Sequence, residues 1–279
     1  MTYAIAGTRA TPASLDLLHR SAAFWLAAML LAQWAFFYYI AAFYGASIAY
    51  GDLEAWNRLA AFGRKPYVPG DTFGNAAFAG HALGAGIVAL AGALQLIPQV
   101  RVRFPRFHRW NGRVFLVTVL TLSLSGFYLV WIRGTSPSTL DALGTTTNGV
   151  FIVGFAIAAW LAIRRRDLRA HRAWAMRLYL VSNGQWFLRV GVFAYFVLAK
   201  AAGSTPGFTD GFIQFWKFGC FLVPLAILQL YLHASHRGSP AVRGVAAGVL
   251  VGATLVMLLG AAVFGVLCLK IIAGEPLSI

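Results

Sequence analysis

The chain has 279 residues, 59% of them hydrophobic and only 11% charged. A soluble domain carries roughly 25% charged residues, so most of this chain faces something other than water. A net charge of +15 would suggest nucleic acid in a soluble protein. Here the arginines concentrate in short segments between apolar stretches, which points to membrane orientation and lipid headgroups and argues against nucleic acid as a partner.

Seven apolar stretches follow in chain order, at 22–45, 77–99, 111–133, 147–163, 174–199, 212–233 and 245–270. About twenty apolar residues cross a ~30 Å hydrocarbon core as a helix. The expected fold is an all-α integral membrane protein, a seven-transmembrane-helix bundle in a single domain over 1–279. The second to fifth spans, within 75–200, form an expected four-helix core. Residues 1–20 are polar and the first apolar stretch is long enough to span, so no signal peptide is expected. The long outer segment 46–76 carries Trp56, Tyr67 and Phe73 with Pro66 and Pro69. It reads as a short interfacial helix near 51–62 and then an extended stretch that caps the bundle. Trp131 and Trp216 near one boundary and Trp110, Trp160 and Trp174 near the other read as interfacial anchors. Cys220 and Cys268 fall inside spans, where thiols behave as small hydrophobes.

Fifteen Lys and Arg residues fall on the amino-terminal side, chiefly in 101–113 and 164–177. Six fall opposite: Arg58, Arg64, Lys65, Arg133, Lys200 and Lys270. The positive-inside rule then places the amino terminus in the cytoplasm and the carboxy terminus outside a bacterial inner (plasma) membrane. Only Arg189 and Lys217 lie within spans; Lys217, near the end of its helix, is expected to snorkel to the interface. All eight acids read as lying outside the spans, which counts against a proton-driven transporter with a carboxylate relay.

The most specific feature is a repeated motif. Residues 108–113 read His-Arg-Trp-Asn-Gly-Arg, and 171–177 read His-Arg-Ala-Trp-Ala-Met-Arg. Each follows an arginine-rich segment and opens a span running outward, so His108 and His171 are expected at similar depth. Two imidazoles at one depth on separate helices can clasp a haem iron or help hold a metal ion. A His-Arg-Trp cluster at a helix start is equally what anchors a bundle among headgroups. Gly126 follows His108 by eighteen residues and so shares its face, with Gly112 one turn from His108. Such a face admits a flat macrocycle or another helix. Arg189 follows His171 by the same interval, with Ser182 and Gln185 near the stripe and Asn183 to one side; this face should meet protein or water. His81 opens the second span between Gly80 and Gly84, at a level Arg189 can approach. It reads as a structural residue or as a ligand or proton-transfer candidate. His233 and His236 share a face and, with His108 and His171, permit a Cu or Zn site by composition. There is no His-Glu-x-x-His zinc motif, P-loop or dinucleotide-binding glycine fingerprint.

His81 in a Gly-rich span, Arg-x-Arg-Phe-Pro-Arg-Phe-His-Arg-Trp-Asn-Gly-Arg at 101–113 and the second His-Arg motif at 171–177 resemble an uncharacterised family of bacterial multi-pass membrane proteins. That family is a domain of unknown function, and the likeness covers about residues 75–200. A further likeness is to two-haem b-type membrane cytochromes, which carry one His on each of four consecutive helices. This likeness implies haem b between His108 and His171, with Arg109, Arg172 and Arg113 pairing with its propionates. The fourth span has no His, and Asn148 stands where a partner for His81 would be needed. The expected function is a membrane redox protein passing electrons to or from a quinone or partner protein. The alternative is a haem-free assembly factor, sensor or small-ligand carrier with a cavity near His81 and Arg189.

Overall fold

The computed structural model describes residues 13–62 and 65–275. Arg9 and Arg64, counted above on opposite sides, lie outside the described residues. The described chain is a helical bundle, with no strand among the described residues.

The first span is one rod over Ala13–Tyr50, 38 residues long. It comprises α1 (Ala13–Tyr39), a π-helical stretch Ile40–Gly45 and α2 (Ala46–Tyr50). Gly51 ends it in the left-handed region at φ 74°, which glycine adopts without Cβ strain. The expected interfacial helix is a 3₁₀ segment, Leu53–Phe62. Its Trp56 is 1% exposed and packs on Tyr44 and Phe78, so the segment is pinned to the bundle by an aromatic cluster. Its Arg58 donates to the Ile271 carbonyl at the end of the last helix.

The remaining helices are α3 (Thr72–Leu94), α4 (Pro98–Arg103), α5 (Pro105–Phe127, continued as a π-helical turn over Tyr128–Ile132), α6 (Thr139–Arg164), α7 (Leu168–Ser182), α8 (Gly184–Ala201), α9 (Gly211–Arg237) and α10 (Pro240–Ala273). Sequence punctuation sets their ends. Asp71, Asp167, Ser138 and Ser239 cap α3, α7, α6 and α10 by accepting first-turn N–H groups. The second span stops at Leu94 rather than 99, because Pro98 forces Ile97 into an extended conformation and starts a new helix. The fourth begins at Thr139 rather than 147, because Ser138 caps a first turn that reads as loop by hydropathy. Asp141 therefore sits in the first turn of a candidate span, and Asp16 in the first turn of α1. This corrects the placement of every acid outside the spans.

Among the described residues, six helices are long and apolar enough to cross a membrane: the first rod, α3, α5 with its π turn, α6, α9 and α10. The expected fifth span, 174–199, is two helices that meet at Asn183. Ser182, Asn183 and Gly184 are three weak helix formers in succession.

The helices close a circuit. α1 packs on α10 and α3, α3 on α5, α5 on α6 and α6 on α7; α8 packs on α10 and α9, and α3 also touches α7. The expected four-helix core is thus α3, α5, α6 and α7. α8 leans away from that group onto α10. Close approach depends on glycine: a Cβ on Gly260 of α10 would lie 2.0 Å from the Val190 carbonyl oxygen of α8, and one on Gly144 of α6 2.7 Å from the Lys217 carbonyl of α9.

Two buried cations tie the end opposite the arginine-rich segments. The Arg133 side chain, 6% exposed, donates to Asp71 at 2.9 Å and to Asn75 at 2.7 Å. Asn75 in turn exchanges hydrogen bonds with the Val68 backbone. Lys217 does not snorkel: it donates to Asp141 at 2.9 Å with its side chain 10% exposed. A short path to a carboxylate on the neighbouring helix outcompetes the longer reach to water. Trp216 likewise donates to the Phe187 carbonyl at 3.1 Å, which makes it a brace between α9 and α8.

The Gly74 N–H and then the Arg133 guanidinium hold the Asp71 carboxyl below the usual carboxylate range. A carboxyl depressed by folding contributes stability that is complete above its unfolded pKa of about 3.9 and lost as pH falls through the folded value. Thermal stability in detergent should therefore fall on acidification below about pH 4, and Asp71→Asn should flatten part of that fall. Parallel acid profiles for the two proteins would show that Asp71 does not carry it.

Candidate functional site: an arginine-mouthed cavity

At the arginine-rich end the circuit borders an open cavity of about 1840 Å³. Its mouth is ringed by Arg101 of α4, Arg109 and Arg113 of α5, Arg164 of α6, and Arg169 and Arg172 of α7. Its depth is apolar and reaches Phe187 and Val190 of α8, Trp216 of α9 and Met257 of α10. No carboxylate lines it among the described residues. A cationic rim over an apolar body suits an amphipathic anion, because guanidinium forks bind carboxylate or phosphate while the body leaves water.

His108 and His171 both line this cavity. Pro105 starts α5 three residues before His108, and Asp167 caps α7 four residues before His171. Each ring thus projects from a first helical turn. The His171 Nδ1 donates to the Ala159 carbonyl of α6 at 2.9 Å. That bond puts the proton on Nδ1 and leaves the Nε2 lone pair free in the neutral ring, the orientation used by metal-ligating histidines. His108 differs: its Nδ1 is buried without a partner, while its carbonyl accepts from Gln95 at 3.3 Å. The Tyr179 hydroxyl, on a residue 2% exposed, is also buried without a partner, and Tyr179 lines the same cavity.

Some expectations change. Gly126 does not open a face to a macrocycle: a Cβ there would meet the His81 ring at 3.4 Å. Gly112 similarly faces Gln95 at 3.3 Å. These glycines admit His81 of α3 and Gln95 just beyond its end. Arg113 stacks on Trp110 at 4.8 Å and Arg177 on Trp174 at 5.0 Å, so each His-Arg motif commits one arginine to a tryptophan of its own helix. His19 and His236 reach the cavity and His233 does not line it. No three His, Cys, Asp or Glu side chains come together as a metal-holding group among the described residues. The four-histidine Cu or Zn site is therefore not assembled.

The remaining candidates lie away from the cavity, near the α7–α8 junction. His81 Nδ1 meets the Ser125 hydroxyl at 2.9 Å. Gln185 donates to Thr145 at 3.3 Å. Arg189 donates to the Gln185 carbonyl at 2.6 Å. Asn148, 4% exposed, packs on Gly184 with its amide oxygen unpartnered. Sequence reasoning missed Tyr179, Gln95 and the Ala159 carbonyl. Polarity inside an apolar stretch was the available signal for the first two; a backbone carbonyl carries none.

Together these features define a polytopic α-helical membrane protein with a wide, basic-mouthed cavity at one end of its bundle. Residues 78–232 match the model of a family described as "Predicted membrane protein (DUF2306)", and the chain belongs to that family. No curated protein and no solved structure matches it.

Proposed function

We propose that the arginine-mouthed cavity holds haem b and that the protein passes electrons to or from a quinone or partner protein. The observation that carries this reading is the His171 ring. Its Nδ1 is held by the Ala159 carbonyl, and its Nε2 is free in a cavity shared with His108. The residues fit the group in three respects: a fixed imidazole, a second imidazole in the same cavity, and arginines at the mouth for two propionates. His108, with Nδ1 unpartnered, is the weaker ligand of the pair. Bound haem would supply one-electron chemistry. Arg109, Arg172 and Arg113 would neutralise its propionates, and the apolar wall would exclude water. By the distribution of basic residues, this end faces the cytoplasm.

Protein expressed with haem supplied should purify with a Soret band and with α and β bands that sharpen on reduction. His171→Ala should abolish the spectrum, and His108→Ala should convert it to a weaker, five-coordinate form. A folded, colourless wild-type protein would overturn the reading.

The cavity exceeds the roughly 300–1,000 Å³ of ordinary ligand pockets, which favours a second reading: a haem-free carrier, sensor or assembly factor holding a lipid-like anion. Mass spectra of solvent extracts from the colourless protein would then contain an acylated or prenylated phosphate or carboxylate.

A further inference from the structure

The arginine-mouthed cavity changes shape along its depth. Near the mouth, residues of α1, α3, α4, α5, α6, α7 and α9 line it. α3, α5 and α6 do so only at their mouth ends, where Gly92, Leu116 and Ala159 are their deepest lining residues. At the far end the walls come from α8, α9 and α10, through Phe187, Val190, Gly191, Trp216 and Met257. A wide vestibule thus narrows to a shaft.

α9 gives the length. Ser235, Tyr231, Leu228 and Pro224 line the cavity at the three- and four-residue spacing of one helical face, and Trp216 lines its end. Ser235 and Trp216 are nineteen residues apart, or about 28 Å along a helix. One leaflet offers a lipid chain only half of a ~30 Å hydrocarbon core, so the cavity is nearly twice as deep as an ordinary membrane lipid reaches.

Two contacts close the shaft. The Trp216 indole donates to the Phe187 carbonyl of α8 at 3.1 Å, and its ring lies over Gly191, where a Cβ would sit 2.1 Å from the indole nitrogen. Phe212 stacks on the same indole at 5.5 Å. Trp216 is therefore a fixed plate across α8 and α9. One turn beyond Met257, Gly260 of α10 presses on the Val190 backbone of α8, which seals the other side.

The two ends ask for different chemistry. The rim carries arginines and no carboxylate, and no charged side chain lines the shaft among the described residues. Guanidinium forks hold a phosphate or carboxylate at the rim, and the shaft gives hydrocarbon a wall to follow. The vestibule has room for more than one chain, whereas three helices at the far end leave a path for one.

We propose that the cavity binds a single-chain amphiphile, a long hydrocarbon chain under one phosphate or carboxylate head, and that Trp216 sets the length of chain it accepts. This rests on the second reading above, a lipid-like anion in place of haem.

Native mass spectra of the full chain, delipidated in detergent and incubated with an equimolar ladder of n-alkyl phosphates from decyl to docosyl, test this. The matching fatty acids form a second arm, and the better-retained ladder identifies the head. One adduct per chain is expected, with an upper limit of length. Trp216→Ala should move that limit to longer chains. Val223→Phe, on the α9 wall two turns nearer the mouth, should move it the other way by as much as about 10 Å of chain; it carries the test if Trp216→Ala does not fold. Arg172→Gln should lower retention at every length without moving the limit. Equal retention of all lengths, a profile unchanged by Trp216→Ala and Val223→Phe, or a preference for a two-chain phosphatidic acid would overturn the proposal and leave the lipid-like anion standing. Retention of neither ladder by the folded wild-type protein would overturn both.

Discussion

Gly260→Ala should lower the stability of the protein by about 3 kcal/mol, the upper part of the range for overpacking a close contact. The added methyl would lie 2.0 Å from the Val190 carbonyl oxygen and 2.8 Å from its carbon. These are backbone atoms, so no rotamer change relieves the clash, and α10 must move off α8. Gly252 and Gly265 lie on the same helix with nothing within 4 Å of an added Cβ. Alanine at either should be neutral or slightly stabilising, because alanine is the better helix former by about 1 kcal/mol. Tryptophan-fluorescence melting in detergent compares the three variants directly. A Gly260→Ala protein that melts with the wild type would mean that α8 and α10 separate at no cost.

The long helices were legible because each hides about twenty apolar residues from water, and length and hydropathy record that demand directly. The break in the fifth span was not. Averaged over 174–199, the apolar α8 masks the polar turns of α7, although Ser182-Asn183-Gly184 is itself a stop signal. His108 and His171 were legible as a pair because each opens its helix after an arginine-rich segment, which sets a common depth. Helical phase puts Gly126 on the face of His108 but carries no information about which neighbour fills a glycine notch. The neighbour is His81. Ion pairs were least legible of all. Arg133 meets Asp71 across 62 residues and Lys217 meets Asp141 across 76, distances in sequence that only the packed circuit makes short.

That circuit makes the Lys217–Asp141 pair the clearest test of how interior charge is tolerated here. The Asp141 carboxylate is held by Lys217 at 2.9 Å and by the Ser138 hydroxyl at 2.5 Å, at the amino terminus of α6. Removing one partner of a buried pair costs about 3–5 kcal/mol because the other charge is left desolvated. The two single substitutions should not be equal. Lys217→Met leaves the carboxylate with a hydroxyl and the positive end of a helix dipole, which offset part of the cost, so the loss should be about 2 kcal/mol. Asp141→Leu leaves an ammonium, 10% exposed in the native pair, with only Ser138 at 3.4 Å, so the loss should reach about 3 kcal/mol or more. The double variant Lys217→Met/Asp141→Leu removes both charges and fills their space with apolar groups. It should recover most of the combined loss, because a buried pair and a hydrophobic replacement differ little in stability. Unfolding of all four proteins in mixed micelles gives the double-mutant cycle. Strictly additive losses would show that lysine and aspartate act independently, each reaching water, and that Lys217 snorkels after all.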